Sequence, residues 1–283
     1  MKRRKRMKNR IFLLIFFFCI IPTAVIASQI TIFDNQKSNN PTDTWHGLEN
    51  EDEEVESNTN GSLQATTGQN WDLEGMFFDG TYLSIVGGWD FVKGSGNNDG
   101  IGSGDIFIST SGAVSYGIST INSSTSNDPT GTPIENNFGY NYVFDIDWEN
   151  FANARINDPN LNTWSYTLWQ ITEKTFVTPS TGIGASNPVA YHSGAVEGSN
   201  VTGSFTYTSG LSDTDTGFSG GNHFMLSGLN ITDIPNFKGS FTAHFTQECG
   251  NDTIMGQVPE PATMILLGMG LLSISAIARK LPL

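Results

Sequence analysis

"WDLEGMFFDGTYLSIVGGWDF", residues 71–91, decides the fold class. Two apolar stretches flank Asp79-Gly80, and Asp-Gly between strand-like runs is a strong signal for a tight hairpin of the primed-turn type. Working outward, "GDIFIS" (104–109), "AVSYGIS" (113–119), "YNYVFDIDW" (140–148), "TWSYTLWQI" (163–171), "GSFTYTS" (203–209), "NHFMLSGL" (222–229) and "GSFTAHFTQE" (239–248) repeat the texture. They alternate with the two-residue period of a strand. Phe241, Ala243 and Phe245 point one way, and Thr242, His244 and Thr246 the other. Clusters of Gly, Asn, Ser, Thr and Pro between them supply turn chemistry. The nearest approach to a helical period before the C-terminal tail is "WENFANARI" (148–156), one turn or two.

About nine or ten short strands in this span predict an all-β fold, a single antiparallel β-sandwich of jelly-roll-like kind over residues 63–250. An irregular β-barrel is the alternative. No repeat recurs at a fixed period, which disfavours propellers and solenoids. Residues 28–62 read as an acidic polar leader or linker. Their charge run, Glu49 to Glu56, comes with few apolar residues to bury, although "QITIF" (29–33) has the make-up of a strand that adds to a sheet edge.

Charge narrows the function. Between residues 28 and 258 only Lys37, Lys93, Arg155, Lys174 and Lys238 are basic, against 27 of the chain's 28 acidic residues, a net charge near −22. Such a field repels nucleic acid and anionic lipid and suits either solubility or divalent cations.

The two ends set the compartment. Residues 1–10 carry seven basic groups, Ile11 to Ile21 form an apolar run, and Val25 and Ala27 are the small residues of a cleavage site. That order is a secretory signal peptide over residues 1–27, with the Sec translocon and signal peptidase as its partners. Cys19 leaves with it, so Cys249 stands alone in the mature chain and no intramolecular disulfide is expected. At the other end, Ala262 to Ala278 is uncharged and near the minimum length of about 17 residues for a membrane span. Arg279 and Lys280 follow as the basic stop that stays cytoplasmic. Residues 262–283 therefore read as a transmembrane helix with a basic cytoplasmic tail, and residues 251–261 as a spacer.

Val258-Pro259-Glu260-Pro261, an apolar helix and Arg279-Lys280 together resemble the PEP-CTERM sorting signal read by exosortases. The resemblance implies a Gram-negative bacterium that exports polysaccharide. It also implies exosortase as a partner, an inner-membrane-anchored intermediate, and processing near the tripeptide for delivery to the cell surface or extracellular matrix. Physically, two prolines hold Glu260 in an extended backbone that a protease-like cleft can read. The region from the 71–80 hairpin to "HFTQECGND" (244–252) is also similar to a domain that recurs beside such tails, which brings no assigned activity.

Sites of chemistry are sparse. On a strand, Asp145, Asp147 and Glu149 of "FDIDWEN" would share one face about 7 Å apart pairwise. They resemble the E-x-D-x-E strand of laminarinase- and lichenase-type glycoside hydrolases, which implies Asp145 as nucleophile, Asp147 as its partner and Glu149 as the acid. Here Asp145 replaces the usual Glu and withdraws the carboxylate by one methylene. Trp148, Trp164 and Trp169 are candidates for stacking on sugar rings, or for the core. For a hard cation such as calcium, the candidates are Asn97, Asp99 and Asp105 in "NNDGIGSGD", and Asp213 and Asp215 in "DTDTG". Neither loop completes a calcium-binding pattern. His46, His192, His223 and His244 lack the spacing of a zinc site, and no phosphate-cradling or nucleophile-elbow motif is present.

The expectation is a non-enzymatic, exosortase-sorted structural or interaction protein associated with the surface or exopolysaccharide, with no catalytic residue and no cofactor required. A glycan-binding module or a glycoside hydrolase is the alternative.

Overall fold

The computed structural model describes residues 27–34, 55–57, 63–65, 69–94, 101–112, 114, 132–180, 187–248, 250 and 252–260. The expected signal peptide, the "AVSYGIS" strand beyond Val114, Asn97, Asp99, Cys249 and the expected membrane helix lie outside them. Among the described residues, no helix is long and apolar enough to cross a membrane.

The fold is all-β, as the alternation predicts. In chain order its strands are β1 (Ser28–Gln29), β2 (Thr31–Asp34), β3 (Val55–Ser57), β4 (Leu63–Ala65), β5 (Leu73–Phe78), β6 (Tyr82–Gly87) and β7 (Ile106–Ser109). There follow β8 (Ile134–Glu135), β9 (Tyr142–Asp145), β10 (Thr163–Thr178), β11 (Ala190–Leu211), β12 (His223–Asn230), β13 (Phe241–Thr246) and β14 (Thr253–Val258). Helix α1 spans Trp148–Asn157, and a single turn, α2, spans Asp213–Thr216. The β5–β6 hairpin turns at Asp79-Gly80 as read. Gly80 takes the positive φ of 97° that the tight turn demands, and Asp79 Oδ1 accepts the N–H groups of Thr81 and Tyr82.

The expected two-sheet sandwich is corrected to one continuous antiparallel sheet. Its order is β1-β5-β6-β12-β11-β10-β9-β7-β13-β14-β2, with β8 beside β10, while among the described residues β3 and β4 pair only with each other. The two ends of this order are the same piece of chain. β1 pairs with β5 (Ser28 opposite Phe78) and β2 pairs with β14 (Thr31 opposite Gly256). Between them Ile30 donates its N–H to Met76 O and accepts from Gln257 N. The N-terminal segment thus seams the sheet into a nearly closed barrel. The reading of residues 251–261 as spacer gives way at Thr253–Val258, which forms a barrel strand. The leader likewise loses residues 28–34 to the seam.

Leu73, Met76, Leu83, Ile85, Phe144, Phe205, Leu226, Phe241, Ala243 and Phe245 fill the barrel interior. A second cluster (Phe107, Phe138, Tyr140, Val143, Ile171 and Val177) lies on the opposite face of β7 and β9. The sequences IFIS and YVFD explain this. Ile106, Ile108, Tyr142 and Phe144 enter the barrel while Phe107 and Val143 enter the second layer, so both faces are apolar. Strand β10 serves the two layers in turn. Tyr166 and Leu168 face the barrel, the register with β11 breaks after Leu168 and again after Ile171, and Ile171 and Val177 then cover the outer cluster.

Candidate functional site

The sorting tripeptide grows directly out of the barrel wall. Val258, the last residue of β14, pairs with Phe241, and the exposed Pro259 and Glu260 follow at once. Pro259 has no N–H to continue the ladder, so pairing ends there for a covalent reason. Pro261, Arg279 and Lys280 lie outside the described residues. Beside the exit is a cleft of about 730 Å³, lined among others by Lys238, Ser240, Thr242, Gln257, Pro259 and Glu260. Because Gln257 bonds to Ile30, Ala27 and the start of β1 lie close to this exit.

The three-carboxylate strand does not form. Asp145 ends β9, and the chain turns into α1, whose N-cap is Asp147. Asp147 Oδ1 accepts from Asn150 N at 3.0 Å, and Glu149 is exposed in the first helical turn. An Asp followed by a first-turn Glu satisfies the orphan N–H groups and dipole of a helix start, and that local gain overrides the alternation. The helix is held by Phe151, fully buried, which stacks on Trp164 at 5.1 Å and meets Phe205 edge-on. Trp164 and Trp148 are thus packed against the barrel core, Trp148 donating to Gly104 O. Trp169 is half-buried over the second cluster, stacked on Tyr191 at 5.9 Å and donating to Asp145 Oδ2 at 2.9 Å.

The described cation candidates, Asp105, Asp213 and Asp215, are committed elsewhere. Asp105 is buried, its two carboxyl oxygens accepting the N–H groups of Ile146 (3.0 Å) and Tyr191 (2.8 Å). Burial first, and then the charge of Asp145, raise its pKa well above the usual carboxylate range, against the pull of those two bonds. Asp145 is raised too, by burial, with the Trp169 bond opposing. Asp215 accepts from the backbone and hydroxyl of Ser212, closing the α2 turn. Asp213 accepts from Gly221 N at 2.7 Å. Among the described residues no group of three His, Cys, Asp or Glu side chains is arranged for a metal.

One polar cluster escaped the sequence reading. His223 on β12 is buried between two carboxylates. Its Nδ1 lies 2.8 Å from Glu74 Oε2 on β5, and its Nε2 lies 3.0 Å from Asp213 Oδ1. Gln69 donates to Glu74 Oε1 at 2.7 Å. Burial pulls the imidazolium down, but the hydrogen bonds and charges of Asp213 and Glu74 outweigh it, and the pKa of His223 is raised. Asp213 is correspondingly lowered, chiefly by its bond to His223. The cluster fastens the Asp213–Gly221 loop to the β5–β12 wall. Its signal was a Glu inside "DLEGMFF", since a charge within a buried apolar strand demands a partner. His244, by contrast, is buried in the outer layer, where its Nε2 lies 2.9 Å from Pro188 O and its ring neighbours Phe107 and Tyr140.

Comparison with known proteins bears on the exit from the barrel. Residues 257–280 match the PEP-CTERM protein-sorting motif. Neither curated proteins nor solved structures give a match to the chain. The motif marks a secreted surface protein sorted by exosortase, with export and membrane-associated processing on the way. It begins at Gln257, inside β14, so barrel and sorting signal share Gln257 and Val258.

Proposed function

We propose that this chain is a non-enzymatic surface or matrix protein: one barrel, released from its membrane tether by exosortase and left in the envelope or its exopolysaccharide. In this reading residues 1–27 are removed as a signal peptide, and residues 262–283 form the membrane helix with Arg279 and Lys280 inside. The observation that carries it is the continuity of β14 with the sorting motif, since cleavage near the tripeptide would free a barrel whose last strand is intact. Replacing Pro259-Glu260-Pro261 by three alanines tests it. An anchor needs only the apolar helix and basic stop, whereas a processing enzyme needs the extended handle. The variant is expected to insert and to accumulate at full length in the inner membrane, with surface display lost. Normal shortening and release would refute the reading.

The half-exposed Trp169–Tyr191 stack beside Asp145 supports glycan binding as a second reading, since aromatic faces and carboxylates are what sugar rings and hydroxyls use. Glycan-array binding that Trp169→Ala removes would support it. Binding unaffected by that change would place the contact elsewhere.

A further inference from the structure

The seam that closes the barrel is a short strand pairing supplied by one segment at the start of the described residues. Among the described residues, no other strand pairs with the outer edges of β5 and β14; Ser28–Asp34 alone covers both. Unpaired strand edges are templates for any chain that presents a matching strand. The seam is short and keyed. Five of its residues pair in register (Ser28, Gln29, Thr31, Phe33 and Asp34), and Thr31 Oγ1 accepts from Met76 N at 2.9 Å. Its plug is Ile30, whose side chain lies over Gly256. A Cβ there would stand 2.9 Å from Ile30 Cδ1 and 3.0 Å from Met76 Sδ, so any side chain at that position would have to push the plug aside.

Connectivity permits the plug to come from elsewhere. Residues 35–54 separate Asp34 from β3, and among the described residues β3 and β4 pair with each other and not with the barrel. Twenty residues reach up to about 70 Å when extended. A barrel of this chain length has a radius of gyration near 17 Å and hence a diameter of roughly 45 Å. The tether is long enough to place β1 and β2 in the groove of a neighbour, where every seam contact would be remade unchanged.

We propose that Ser28–Asp34 exchanges between copies, so that each barrel is closed by the N-terminal strand of another. Because exchange conserves the native contacts, the balance between self-closure and exchange is set by concentration. Tethering gives the self-closing strand an effective concentration of at most millimolar order, against which copies gathered on one surface, as the proposed function has them, would compete.

Cysteine trapping of the Gln29–Phe77 pair, which are direct cross-strand partners, tests this in the exported protein made from the full chain. In a Cys249→Ser background, one chain carrying Gln29→Cys and a differently tagged chain carrying Phe77→Cys are co-expressed and run on a non-reducing gel. Neither chain can form the 29–77 disulfide alone. The expected result is a reducible band at twice the monomer mass bearing both tags, absent when Tyr82→Cys, exposed on the next strand, replaces Phe77→Cys. An equal band with Tyr82→Cys would mean random collision and would overturn the proposal. The double variant Gln29→Cys/Phe77→Cys in one chain checks the register. If it closes only within chains while the mixed pair stays monomeric, or if it never closes, the proposal fails.

Discussion

Removing the His223 side chain should expose what the Glu74–His223–Asp213 cluster contributes. Both Glu74 and His223 are fully buried side chains, 2.6 Å apart at their nearest atoms. His223→Ala leaves the Glu74 carboxylate in the β5–β12 wall without the imidazolium, while Gln69 still donates to it. Breaking a buried charged pair from one side costs about 3–5 kcal/mol, because the surviving charge keeps its desolvation penalty without its partner. For a barrel of this size each kcal/mol shifts the melting temperature by about 2–4 °C, so the expected loss is roughly 6–20 °C. Glu74→Gln added to His223→Ala should recover part of it, since the orphaned charge is then gone. The pH dependence carries a sign. His223 has a raised pKa, so its contribution is fully present below the ordinary imidazole range and is lost as pH rises through the raised value. Asp213, lowered by His223, contributes above the ordinary carboxylate range and loses that contribution in acid. Thermal unfolding followed by circular dichroism from pH 5 to 9 should therefore show wild-type stability declining on the alkaline side, and that limb should vanish in His223→Ala. A variant within 1 kcal/mol of wild type, or one that keeps the same alkaline limb, would refute the ion-cluster account.

Asp105→Asn should destabilise by about 1–3 kcal/mol at neutral pH, because one carboxyl oxygen that accepts a backbone N–H becomes an NH2 facing a donor. Its raised pKa means the folded state takes up a proton, so wild-type stability attributable to it grows as pH falls toward the ordinary carboxylate value; denaturant titrations of Asp105→Asn should lack that increment. Asp147→Ala should cost about 1 kcal/mol as the loss of a helix cap, whereas Glu149→Gln, exposed in α1, should be close to neutral in the same assay. Gly256→Ala should cost about 1–3 kcal/mol by crowding Ile30. A double-mutant cycle with Ile30→Ala should show a coupling of at least 0.5 kcal/mol, and simple additivity would place Ile30 away from Gly256.

Periodicity in the sequence was enough to determine the all-β class, the hairpin at Asp79-Gly80 and the inward faces of strands such as Phe241–Phe245, because these depend on residues a few positions apart. The sorting motif was legible for the same reason: it is a linear pattern of neighbouring residues. Tertiary structure decided what depends on long-range pairing. Whether apolar faces close into two sheets or one turns on where the strand at 28–34 finds its partners, and one of them, β14, lies more than two hundred residues further along. Glu74 and His223 are 149 positions apart and carry no shared pattern, so their buried pairing emerges only when β5 and β12 flank β6. At Asp145–Glu149 alternation placed three carboxylates on one face of a strand, but a cap at Asp147 and the burial of Phe151 against Trp164 and Phe205 favoured a helix. There the packing of one aromatic side chain outweighed a two-residue period that extended over too few positions to hold.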